Sequence, residues 1–234
     1  MARPTVVGII LARLDSTRLP GKALRQVKGV PLIGYVIARA KRIPDLEVLV
    51  LATTERPLDD PLAEYALSQG VKVYRGDLCD VALRVLNCAA KFGGDYFVRL
   101  NGDAPFHDPE LIAQGIAYCQ DGEIELVTNL IGRTFPYGIA VEIIRTDAFE
   151  RSYENMTTPE ELEHVTQYLY MHLEKLKIKT ITSSCPELSQ ARVVVDTKAD
   201  FEMFKHVANQ LGETVLTAGY KQVAKLYLAQ RGIL

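Results

Sequence analysis

The run Val6-Val7-Gly8-Ile9-Ile10-Leu11 passes directly into Ala12-Arg13-Leu14-Asp15-Ser16-Thr17-Arg18-Leu19-Pro20-Gly21-Lys22. The first part is apolar and largely β-branched, as in a strand buried on both faces inside a parallel sheet. The second part gathers three cations (Arg13, Arg18, Lys22) and two hydroxyls (Ser16, Thr17) into one short loop at that strand's carboxyl end. A plain turn needs only the Pro and the Gly. The clustered donors suit a polyanion, because Arg offers a planar fork and Lys a point charge, both matched to phosphate oxygens. The spacing is neither a Walker A loop nor a Gly-x-Gly-x-x-Gly fingerprint, which argues against a P-loop ATPase or an NAD enzyme.

Outward from this stretch the pattern alternates. Further apolar runs stand at 46–52, 71–74, 95–100, 124–130, 139–144, 176–182 and 192–195, with segments of helical period between many of them. Val36, Ile37, Ala40 and Ile43 share one face after Pro31. Leu62, Tyr65 and Ala66 share another, stopped at Gln69-Gly70. Val81, Leu83, Val85, Leu86, Ala89 and Ala90 make a third, with Asp80 as N-cap and Gly93-Gly94 as its end. This repetition predicts an α/β fold: a mainly parallel sheet covered by helices on both faces. Such sheets bind ligands beyond the carboxyl ends of their strands, where the first loop and Asn101-Gly102-Asp103 both fall. After about residue 130 the alternation weakens at the turn-rich Thr134-Phe135-Pro136-Tyr137-Gly138. Helices are expected at about 146–155 and 158–175, the second capped by Thr158, begun by Pro159 and striped by Leu162, Val165, Leu169 and Leu173. Amphipathic segments at 197–209 and 217–230 close the fold. With no internal repeat and no low-complexity linker, residues 1–234 read as one domain.

Composition narrows the class. Hydrophobic residues are 48% and charged residues 24%, as in soluble globular proteins. A net charge of −2 speaks against a general nucleic-acid binder, so the loop cations are a local feature. No apolar run reaches the length of a membrane span. Met1-Ala2-Arg3-Pro4 enters the first strand at once, leaving no room for a signal peptide. Cys79, Cys88, Cys119 and Cys185 lack metal-type spacing and are expected as reduced thiols of a cytoplasmic protein, Cys88 and Cys119 in its core.

The order Arg-x-x-Ser-Thr-Arg-Leu-Pro-Gly-Lys, from Arg13 to Lys22, is long and low in degeneracy. It closely resembles the signature of the sugar cytidylyltransferases, a superfamily that includes CMP-KDO synthetase, the acylneuraminate cytidylyltransferases and the spore-coat polysaccharide biosynthesis proteins. The similarity extends over residues 5 to 205. It implies a Rossmann-like nucleotide-diphospho-sugar transferase fold. The implied reaction joins CTP and a sugar, foremost a sugar acid, to give a CMP-sugar and pyrophosphate for cell-surface polysaccharide. Mg²⁺ is the implied cofactor. A homodimer is implied too, with an arm at about 131–185 that pairs subunits and contacts the sugar.

Residue by residue, the resemblance assigns Ala12, Arg13, Ser16, Thr17, Arg18 and Lys22 to the nucleotide. It makes Arg13, Lys22 and Asp103 catalytic, and gives Mg²⁺ to Asp103 and Asp196, which end the segments Arg99-Leu100-Asn101-Gly102-Asp103 and Arg192-Val193-Val194-Val195-Asp196. Mg²⁺ takes one or two carboxylates plus substrate phosphates, so the residue types fit. Their other reading makes Asp103 a turn former and Asp196 the N-cap of the helix at 197. Nothing in the spacing of Asp103 and Asp196 reveals the pairing; only the resemblance does. Arg75 and Arg84 are the implied nucleotide-side cations beyond the third strand; a solvated helix position is the alternative for Arg84. Tyr137, Glu142 and His164 are the implied sugar-side residues, although many spore-coat-type relatives have acids where Tyr137 and Ala140 stand. His164 lies off the apolar stripe, leaving a site role or a solvated surface. The pair His164 and His172 lacks a His-Glu-x-x-His pattern, which excludes a zinc site of that kind. His107 receives no role. A catalytically silent sugar-nucleotide-binding protein and a glycosyltransferase also match the fold, and fold alone does not decide among them.

Overall fold

A computed structural model describes residues 3–233. Met1 and Ala2, on which part of the leader expectation rests, lie outside the described residues. The chain opens with β1 (Val6–Leu11) and the cation-rich loop from Ala12 to Lys22. A small hairpin, β2 (Gln26–Val27) and β3 (Val30–Pro31), leads into α1 (Leu32–Ala40). Next come β4 (Val48–Thr54), α2 (Asp60–Ser68), β5 (Lys72–Gly76), α3 (Val81–Lys91), β6 (Tyr96–Asn101) and α4 (Pro109–Ala117). The second half holds β7 (Leu126–Thr128), β8 (Glu142–Arg145), α5 (Thr146–Tyr153), α6 (Pro159–Glu163), α7 (Gln167–Met171), β9 (Ile178–Thr180), α8 (Lys198–Leu211) and α9 (Tyr220–Gln230).

The main sheet runs β5-β4-β1-β6-β8-β7-β9. β1 is parallel to both β4 and β6, and β8 is the reversed strand, antiparallel to β6 and β7. The chain builds outward from β1 to β5 and then returns to lay β6 on the other side of β1. That reversal opens a crevice at the carboxyl ends of β1 and β6, where Leu11 pairs with Asn101.

Both faces are covered because both carry apolar side chains. Val6 and Ile10 of β1 join the core under α1, α4, α8 and α9, while Val7 and Ile9 join the opposite core under α3, α5 and α7. Caps set several of the helix starts. The Asp80 carboxylate accepts from Leu83 N at 2.7 Å, and Thr158 forms a capping box with Glu161. Cys88 and Cys119 are buried free thiols, and burial pushes both up to about 12.

Three expectations are corrected. The helix expected over 158–175 is broken: α6 ends at Glu163, and Val165 takes φ +55° before α7 begins. That turn buries Val165 in the α3 face and leaves His164 exposed at the break. The run 192–195 is no strand of the sheet. It is an extended connector that bridges Tyr137 at Arg192, with Val193 N donating to Tyr137 O at 2.8 Å. Gly138, at φ +106°, permits this approach, since a Cβ there would meet Val194 Cγ1 at 2.7 Å. Third, Asp196 is not the cap of α8. Thr197 is, with Asp200 completing its capping box, so the Asp196 carboxylate is left for other partners.

Candidate functional site

A cleft of about 630 Å³ opens where β1 and β6 end, and the loop from Ala12 to Lys22 forms one wall. Loop closure comes from Gly21 N donating to Leu14 O at 2.9 Å. Asp59, fully buried, anchors the loop by accepting from Leu14 N at 2.7 Å, and also accepts from Thr54 Oγ1 and Arg56. Asp15 is held below the usual carboxylate range, chiefly by the hydrogen bond from Arg56 and despite burial. The loop is therefore fixed at its backbone, while Arg13, Ser16, Thr17, Arg18 and Lys22 line the cleft with Ala12.

Opposite stands the turn after β6. Gly102 N donates to Leu11 O at 2.9 Å, bringing the two loops into contact. A Cβ at Gly102 would sit 2.6 Å from Ala12 Cβ and 2.9 Å from Leu11 O. The second contact is backbone and has nowhere to move. Gly102→Val is thus expected to wedge the crevice apart, lowering stability by about 1–3 kcal/mol and weakening nucleotide binding at the same time. Thermal melting and calorimetry on the one variant check both.

The same turn presents Asp103, and the 192–196 connector presents Asp196 beside it, because Val195 N donates to Asp103 O at 2.8 Å. Lys22 Nζ lies 2.9 Å from Asp103 Oδ2, 2.9 Å from Asp196 Oδ1 and 2.9 Å from Val195 O. Arg192 holds the other oxygen of Asp196 at 2.7 Å, and Arg18 approaches Oδ1 at 3.1 Å. Burial raises the Asp196 pKa, but the Lys22, Arg18 and Arg192 contacts outweigh it and hold the carboxyl below its ordinary value. Among the described residues no group of three or more His, Cys, Asp or Glu side chains forms a metal cage. Two carboxylates and a carbonyl converging on one point are instead a hard-oxygen set that Mg²⁺ can share with phosphates.

Arg84 is buried, which rules out the solvated alternative. Its Nη1 donates to Asp77 O at 2.6 Å, its Nε has no partner, and it makes no ion pair among the described residues. Burial first, and then the Arg13 charge, push its pKa down. A cation so placed at a cleft wall lacks an anion. Arg75 is a different case, because the structure does not bring it to the cleft. It donates to Thr54 O and Arg56 O and pairs with Asp60 at 2.5 Å, tying β5 to the start of α2.

Tyr137, Glu142 and His164 also line the cleft. Glu142 is buried; it accepts from Arg99 at 2.5 Å and from Tyr170 Oη at 3.1 Å, so both its oxygens are engaged. Arg99, whose fork lines the cleft, went without a role in the sequence, though a charge inside a buried strand was a signal. Arg133 and Arg192 flank the exposed Tyr137 ring at 5.2 and 4.7 Å, and only the tertiary fold brings Arg192 to that stack. Arg13 pairs with Asp15 and with Glu163, both at 3.2 Å, linking the first loop to the end of α6.

His107 lies buried beneath the β6 turn. Its Nε2 donates to Asn101 O at 3.0 Å, leaving Nδ1 as an unpartnered acceptor. Burial lowers its pKa from 6.5 to about 4. The unfolded chain therefore takes up the proton first as pH falls. Stability should be fully present above pH 6.5 and decline toward pH 4, and His107→Gln should flatten that decline in a pH series of chemical denaturation.

Residues 7–231 match the family model described as cytidylyltransferase. The spore coat polysaccharide biosynthesis protein SpsF of Bacillus subtilis is 30% identical over 221 residues, covering 89% of this chain and 88% of that one. A cytidylyltransferase structure from Leptospira borgpetersenii superposes with a TM-score of 0.91 at 30% identity, covering 98% of this chain and 96% of that one. The fold is also that of a CMP:2-keto-3-deoxy-manno-octonic acid synthetase complexed with CTP, with a TM-score of 0.67 at 21% identity over 88% of this chain and 99% of that one. Among the described residues no helix is long and apolar enough to cross a membrane.

Proposed function

The chain belongs to the cytidylyltransferase family, and from that premise we propose that it transfers the cytidylyl group of CTP to a hydroxyl of a sugar acid. The products are pyrophosphate and a CMP-sugar for cell-surface polysaccharide. The observation that carries this reading is the convergence of Arg13, Arg18 and Lys22 with Asp103 and Asp196 on one cleft.

In-line attack at the α-phosphorus builds charge on bridging and non-bridging oxygens, so donors fixed beforehand lower the barrier. In this proposal Arg13, Arg18 and Lys22 receive the triphosphate, with Ser16 and Thr17 as hydroxyl donors. Arg84 gains the anion it lacks. Asp103, Asp196 and the Val195 carbonyl would hold Mg²⁺, which when bound supplies charge screening at the α-phosphate and a lower pKa for the attacking hydroxyl. Glu142 acts through Arg99, since both its oxygens are already engaged. Tyr137 and His164 line the acceptor end. That end offers the guanidiniums of Arg99 and Arg133 while Tyr137 and Ala140 supply no carboxylate, which favours an anionic acceptor over a neutral one. The reading further includes a cytoplasmic homodimer paired through residues 131–185, with sedimentation as its check.

The test is pyrophosphate release from CTP, Mg²⁺ and a panel of sugar acids, with UTP, ATP and GTP as controls. CTP-specific release with one acceptor is the expected result. Silence across the panel together with absent CTP binding in calorimetry overturns the reading. CTP binding without turnover on any acceptor would favour a binding-only relative.

A further inference from the structure

Lys22 occupies a point that a metal ion would also claim. Its ammonium is bound by three oxygens at 2.9 Å, from partners 81, 173 and 174 residues away, and its side chain is only 13% exposed. A divalent ion seated between Asp103 and Asp196 needs those same oxygens, at about 2.1 Å for Mg²⁺. The ammonium and the ion therefore exclude one another. Removing the ammonium has two costs. It leaves a largely buried cation without a partner, and it leaves the Asp103 carboxylate without its ion-pair partner beside Asp196, which keeps only Arg192 and Arg18. Phosphate oxygens in the adjoining loop would meet the first cost, and the ion itself meets the second.

We propose that Lys22 is the resident counter-ion of the Asp103–Asp196 seat, displaced only when nucleotide phosphates accept its ammonium. Metal and nucleotide then enter together, and the protein alone has no tight divalent site. Lys22 thus has two positions, one on the carboxylates and one on the phosphates, and the long flexible stem of lysine suits such an exchange where the planar fork of arginine would not. The inference rests on the assignment of Asp103 and Asp196 to the metal proposed above.

The test titrates Mn²⁺ into the full chain without nucleotide, following loss of the free-ion resonance, for the wild type, Lys22→Met, Lys22→Gln and Lys22→Met/Asp103→Asn. Both single variants are expected to bind Mn²⁺ at least about tenfold more tightly than the wild type, because a competing cation has been removed from a partly buried seat. The added Asp103→Asn change should abolish the gain. Mn²⁺ should also raise the melting temperature of Lys22→Met but not of the wild type. Lys22→Gln keeps an amide donor toward the carboxylates and carries the comparison if Lys22→Met does not fold. In parallel, calorimetry measures CTP binding to the wild type and to Asp103→Asn with and without Mn²⁺. Equal Mn²⁺ uptake by wild type and Lys22 variants, with Mn²⁺ still strengthening CTP binding through Asp103, overturns the exchange and leaves the metal assignment standing. CTP binding indifferent to Mn²⁺ and to Asp103→Asn overturns both.

Discussion

Lys22→Ala and Asp103→Ala should each lower pyrophosphate release from CTP by roughly 10²–10³-fold, the loss expected when one preorganised donor to the transition state is removed. Lys22 and Asp103 are 2.9 Å apart in the unloaded site, and in the loaded site both would act on the same phosphate and metal cluster, Lys22 directly and Asp103 through the ion. Their effects should therefore be non-additive, and the double variant should lose little beyond either single one. Both residues reach the cleft surface and neither belongs to an apolar core, so circular dichroism should show folded protein in each case. Rates near the wild type from both variants would sink the site assignment, and full additivity would mean that the two side chains act independently.

Arg39→Met is expected to destabilise the fold by about 3–5 kcal/mol without touching the cleft. Arg39 is completely buried in α1. Its three nitrogens donate to His107 O at 2.7 Å, Val215 O at 3.0 Å and Ala218 O at 2.8 Å. It thereby fastens the β6–α4 connection and the α8–α9 connection to α1. Burial pushes its pKa down to about 10, still well above neutrality, so the group stays charged at pH 7. Methionine fills much of the volume but leaves the buried carbonyls of His107 and Ala218 and the half-buried one of Val215 without that donor, and each buried orphan costs about 1–3 kcal/mol. Arg39→Lys should fall between, restoring the charge but not the three-way fork. Urea melts of the three proteins decide the matter, and a methionine variant as stable as the wild type would show that water replaces the lost donors.

Much of this molecule was legible along the chain. Local signals were reliable wherever the information is local: the apolar run of β1, the Asp80 and Thr158 caps, the Gly70 stop and the cation-rich loop all stand in the structure as read. Errors arose where tertiary packing overrode a period. The stripe from Leu162 to Leu173 suggested one helix, yet Val165 is drawn into the core by a positive-φ turn that splits it. Val193-Val194-Val195 has strand composition, but its backbone partners are Tyr137 and Asp103, not a strand of the sheet. Arg75 and Arg84 looked alike as sequence and separated in space, one committed to α2 and the other buried at the cleft without an anion.

The sequence by itself determined the α/β alternation, the placement of a cation-rich loop at the end of β1 and the family to which that loop points. Each follows from side chains within a few residues of one another. Only the tertiary structure decided that Asp103 and Asp196 share one lysine, that Asp59 anchors the loop through Leu14, and that Glu142 serves Arg99. Those contacts span 43 to 174 residues. They exist because β6 folds back beside β1 and the 192–196 connector is hydrogen-bonded across the mouth of that crevice. No local propensity encodes such a closure; the summed burial of two cores on either side of the sheet does.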